Sequence, residues 1–162
     1  MGKAIINPVC ALALVLGAAA SPARADVFPA GIACSFTLET TELQPTKQQF
    51  RDAQGRTGVV LYTGQFGTLQ FTNKDTGTSI TLPGKGANYV ATIDTKGNIT
   101  GFTFTGHWVI IWYPTDISPV GPATIEYVGR LVVRVGPAPN FAGTLVSQEG
   151  RQVRDICAVL SG

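Results

Sequence analysis

The chain is poor in the residues that most often carry catalysis. Its 162 residues include one histidine, three cysteines and one methionine, and only 14% are charged. A single imidazole, His107, excludes a zinc site built from several histidines. No Gly-x-Ser-x-Gly elbow, P-loop or Gly-x-Gly-x-x-Gly fingerprint occurs. The serines beyond residue 25 fall in unrelated turns and strands. The spacing Cys-x-x-Cys is absent too, which argues against a redox pair. The composition predicts no metal and no cofactor.

Long apolar runs are also scarce. The longest near the start, Ala11 to Ala20, follows Lys3 and ends before Ser21-Pro22-Ala23-Arg24-Ala25. Ala23 and Ala25 make the small-x-small pattern of a signal-peptidase site. The run falls short of the roughly 20 residues needed to span a bilayer. Residues 1–25 are therefore read as a removed signal peptide and 26–162 as a single extracellular domain, with no stable membrane insertion after cleavage. Cys10 comes too early, and Cys34 too late, for a lipoprotein site.

Cleavage also removes the positive balance of the full chain. Losing Lys3 and Arg24 leaves ten of the twelve basic side chains, equal to the ten acidic ones. The remaining Lys and Arg are scattered, so no basic patch points to nucleic acid. Cys34 and Cys157 are left near the two ends of the mature chain. In an oxidising compartment they allow one intramolecular disulfide.

Short β-prone runs alternate with dense turns. Asp52 to Gly55, Asn73 to Gly77, Pro83 to Gly86 and Asp94 to Gly97 read as hairpin connections. Between them lie expected strands at 33–39, 57–63, 68–72, 78–82, 89–93, 98–105, 107–113, 125–135 and 141–147. A phase shift at Gly101 puts Ile99 and the Phe102/Phe104 pair on opposite faces and suggests a bulge. Val153, Ile156, Cys157 and Leu160 recur at helical spacing, which predicts a short C-terminal helix. The fold class is all-β: an antiparallel meander of about 8–10 strands, a barrel in preference to a sandwich, because the links are short and a barrel leaves no open edge.

One stretch breaks the alternation. From His107 to Tyr113 the chain is uncharged and apolar on both faces: Trp108, Ile110 and Trp112 on one, His107, Val109, Ile111 and Tyr113 on the other. Something must cover the second face, and Trp108, Ile110 and Trp112 are the candidate ligand-binding residues. The Pro-rich segment 114–123 follows directly and could form a wall over one end of the domain. His107, Tyr113 and Glu126 are weak candidates for acid–base work. Asp116, within the Pro-rich segment, and Glu126, just after it, are not singled out as a catalytic carboxylate pair, and the acidic turns have too few oxygen ligands for calcium. Asn98-Ile99-Thr100 is a glycosylation sequon.

The segments "TGVVLYTGQFGTLQFTNKDTGTSITLPGKG", "GNITGFTFTGHWVIIW" and "VRDICAVL", with a cysteine near the mature start, resemble a group of small secreted actinobacterial proteins. The resemblance spans most of the mature chain. It implies export, one β domain and a Cys34–Cys157 pair, and brings no activity or binding residue with it. The layout is also similar to lipocalin-like and allene-oxide-cyclase-like barrels, although neither family's motifs are present. The expected function is a secreted, non-enzymatic β domain that binds a small apolar ligand or an extracellular protein. The competing expectation is a small barrel enzyme, a cyclase or isomerase, acting on a hydrophobic metabolite.

Overall fold

A computed structural model describes residues 24–43, 47–52, 59–65, 67–137 and 140–162. Ten strands and one helix follow in order: β1 Arg24–Phe28, β2 Leu38–Glu42, β3 Lys47–Asp52, β4 Val59–Gln65, β5 Leu69–Asn73, β6 Ser79–Leu82, β7 Gly86–Ile93, β8 Ile99–Trp112, β9 Ala123–Val135, β10 Gly143–Asp155 and α1 Ile156–Ser161. Each pairing is antiparallel. The all-β class and the terminal helix are as expected.

The strands form two sheets, ordered β1-β2-β5-β6 and β10-β9-β8-β7-β4-β3. No pairing among the described residues joins β10 to β3 or one sheet to the other, so the favoured closed barrel gives way to two layers. The physical reason lies in β8. A single closed sheet would leave Val109 and Ile111 facing water. Here the smaller sheet covers them, and both pack against a core of Cys34, Phe36, Leu38, Phe71, Leu82, Ile156 and Leu160. The opposite face of β8 is covered within its own sheet, where Trp112 joins Ile125, Tyr127, Leu131 and Val133, with Ile110 packed alongside.

The switch between layers happens at short links. Asn73 to Gly77 and Asp94 to Gly97 do close hairpins, β5–β6 and β7–β8. Pro83 to Gly86, expected to do the same, instead carries the chain from β6 in one sheet to β7, which opens at Gly86, in the other. A proline has no N–H for a ladder, which favours a corner there. The turn expected at Asp52 to Gly55 runs outside the described residues.

A row of small residues crosses the larger sheet. Register aligns Gly64 with Ala87, Ala87 with Gly106, Gly106 with Gly129, and Gly129 with Gly150. Gly106, Gly129 and Gly150 take φ of 101°, 124° and 138°. These are conformations that L side chains rarely adopt, and such glycines let a sheet bend sharply. A Cβ on Gly129 would also run into the carbonyl of Glu149. The row marks the line at which β8 changes neighbours.

Several strand boundaries differ from those expected. The run 33–39 is mostly turn and bend, with β2 starting at Leu38, and β8 is continuous through Gly106. The bulge near Gly101 is present: Thr92 pairs with Gly101 but Ile93 with Ile99. The helix begins at Ile156, because Asp155 is its N-cap and accepts a hydrogen bond from Ala158 N at 3.0 Å. Val153 therefore belongs to β10 and is exposed. The Cys34–Cys157 disulfide spans a separation of 123 residues with Cα atoms 5.5 Å apart. It ties α1 to the segment entering β2. Asn73 Nδ2 ties the same helix to β5 by donating to Leu160 O at 3.1 Å.

Candidate functional site

β7 begins at Gly86, and its last pairing with β8 is Ala87 with Gly106. Beyond that point β8 continues to Trp112 paired with β9. The chain on the β7 side has turned through 83–85 into the smaller sheet, and a cleft of about 410 Å³, open mouth included, lies where the layers part. Leu69, Leu82 and Val109 supply its apolar walls. Pro83 and Lys85 come from the corner, and His107, Trp108 and Glu126 complete the lining with Gly67. The end of the β7–β8 pairing at Gly106 thus positions the cleft.

Two adjacent strands place His107 and Glu126 in the cleft, and a third brings Arg154 beside Glu126. Glu126 of β9 faces Arg154 of β10 directly, while His107 of β8 sits opposite Val128, two residues along. Diagonal neighbours at that spacing are within reach of long side chains. His107 Nδ1 lies 3.2 Å from Glu126 Oε1, and Arg154 Nε lies 3.5 Å from Oε2. The Glu126 side chain is 7% exposed and that of His107 24%. Oε2 is buried and makes no hydrogen bond. A buried carboxylate is costly without charged or donor partners, and Arg154 and His107 supply them here.

Of the acid–base candidates, His107 and Glu126 are thus brought together. Tyr113 is not among the residues lining the cleft. It sits at the start of the Pro-rich segment, where its N–H donates to Asp116 Oδ2 at 2.6 Å. Burial, and then the nearby Asp116 charge, raises the pKa of its phenol. Asp116 holds that segment in place rather than meeting Glu126: its Oδ1 accepts from Gly143 N at 2.6 Å. Ile117 N donates to Gly143 O and Leu145 N to Ser118 O, so the segment is strapped along the start of β10.

Of the apolar candidates, Trp108 borders the cleft and is 8% exposed. Its indole N–H donates to Thr105 O at 3.0 Å, and its ring packs near Tyr89 and Phe104. Ile110 and Trp112 belong to the core cluster instead. Trp112 is 1% exposed and its N–H donates to Tyr127 OH at 3.1 Å. Burial raises the pKa of that phenol, the Trp112 hydrogen bond partly offsets this, and Asp155 adds to the rise.

Arg154, Lys85 and the leucine walls were not singled out by the sequence. Arg154 reaches Glu126 because a register shift between Gln152 and Arg154 realigns the end of β10, which no local motif signals. The acidic turns are explained by their own backbone. Asp94 Oδ1 accepts from Lys96 N and Asn98 N, and Oδ2 from Asn98 Nδ2. The Asn98 contacts, side chain first, lower the Asp94 pKa. Among the described residues no group of three or more His, Cys, Asp or Glu could hold a metal ion, and no helix is long and apolar enough to cross a membrane. Compared with protein-family models, with curated proteins and with solved structures, the chain matches none.

Proposed function

We propose that the protein is a secreted, non-enzymatic β domain that holds a small, largely apolar ligand in the cleft beside His107. The observation that carries this reading is the meeting of apolar walls, Leu69, Leu82 and Val109, with one buried polar pair at the point where two layers separate. Small-molecule sites combine a mostly apolar lining with a few placed polar groups. Secretion is supported by the Cys34–Cys157 disulfide, which suits an oxidising compartment.

Native mass spectrometry of the protein from its own source tests this. The parent should carry an adduct that Val109→Phe, which fills the cleft with apolar volume, displaces while the fold is kept. A bare parent, or an adduct that survives the filling, counts against the cleft as a ligand site.

The His107–Glu126 contact favours a second reading, an enzyme of the cyclase or isomerase kind. A carboxylate beside an imidazole orients it for proton transfer. If the released ligand is turned over by the parent, and His107→Ala stops turnover while binding persists, the enzyme reading replaces the carrier.

A further inference from the structure

Glu126 is an acceptor in its ionised form, so a ring nitrogen turned toward it must carry the hydrogen. That nitrogen is His107 Nδ1, 3.2 Å from Oε1. In a neutral imidazole the other nitrogen, Nε2, then keeps its lone pair. It lies on the ring edge away from the carboxylate, on a side chain that lines the cleft and is partly exposed. Arg154 occupies the other side of the carboxylate, at 3.5 Å from Oε2. Glu126 and Arg154 are therefore positioning residues, and the ring presents an acceptor among apolar walls.

Resting on the ligand-site reading above, we infer that the cleft selects an apolar molecule bearing one neutral hydrogen-bond donor, the hydroxyl of an alcohol or phenol, and that His107 Nε2 accepts it. Charge excludes the other donor class. Lys85 lines the same cleft and Arg154 adjoins Glu126, so the single lining carboxylate is outnumbered by cations and no unbalanced negative charge draws in an ammonium. An anion would have Lys85 as a partner, but it would also meet the Glu126 carboxylate, the Nε2 lone pair and apolar walls.

The chain's single histidine makes its ring nitrogens an unambiguous NMR reporter. Phenol and toluene are matched in shape and differ in the donor, so titrating each against the disulfide-intact protein isolates the handle. Both should perturb the methyls of Leu69, Leu82 and Val109. Phenol should bind about threefold to tenfold tighter, the worth of one neutral hydrogen bond, and should shift Nε2. His107→Phe should erase the difference and keep toluene binding. Glu126→Ala should abolish the single Nδ1–H tautomer and the phenol preference, and Glu126→Gln, which keeps an acceptor, should restore both. Equal seating of phenol and toluene overturns the handle while leaving the site. If neither perturbs the cleft methyls, the site itself is refuted and the handle with it.

Discussion

The two halves of β8 share one strand and one register, yet they live in different surroundings. Before Gly106 the strand alternates: Phe102 and Phe104 face the aromatic cluster with Tyr89, while Thr105 on the other face is exposed. After Gly106 both faces are apolar, and Val109 and Ile111, in phase with Thr105, pack under the second sheet. The difference teaches that loss of alternation within a strand marks where a second layer begins. The glycine row at the boundary takes backbone conformations that permit a bend, and the cleft opens at the same line.

The comparison can be broken most severely at the disulfide. It pins α1, part of the core that covers the second half, and it closes 123 residues. Cys34→Ser with Cys157→Ser should cost about 4–5 kcal/mol in a chain-entropy account, measured as a lowered denaturation midpoint. Bending comes next. Gly129→Ala, strained and in collision with the Glu149 carbonyl, should cost about 1–3 kcal/mol, read in the same assay. A parental midpoint would show that the sheet does not bend there.

A comparable effect sharpens the account of the opposite face. Tyr127→Phe leaves the buried Trp112 N–H without its acceptor and should cost about 1–3 kcal/mol. The same phenol gives a pH dependence. Its raised pKa means the folded state holds the proton beyond the ordinary value of 10.0, so at alkaline pH the folded chain binds more protons than the unfolded one. Stability should be unaffected by this group below that value and should fall as pH rises through the folded pKa. Tyrosinate absorbance followed beside unfolding checks it, and in Tyr127→Phe the Tyr127 share of this alkaline loss should vanish.

Much of the fold was legible because it depends on local chemistry. Asn73 to Gly77 and Asp94 to Gly97 carry side chains that close turns by themselves. The Gly101 bulge and the two-faced stretch 107–113 follow from period two alone. The sheet assignment was not legible, since the three-residue link 83–85 is as short as a hairpin's and only the need to cover Val109 and Ile111 sends β5–β6 to another layer. The helix start was misplaced because Val153 happens to continue the apolar period, whereas Asp155 sets the boundary by capping. In the site, His107 and Glu126 stood out as titratable groups near the apolar strand. Their pairing, and the addition of Arg154, depend on cross-strand register, which is a tertiary property.

Cysteine accessibility along β8 tests the central claim most directly. Ile111→Cys and Thr105→Cys place a thiol on one face of the strand, on either side of Gly106, while the native cysteines stay bonded to each other. Titrated with a maleimide under native conditions, Thr105→Cys should label at once. Ile111→Cys should label only as fast as the protein opens. Equally fast labelling at both positions would mean that no second layer covers the strand, and the cleft between the layers would go with it.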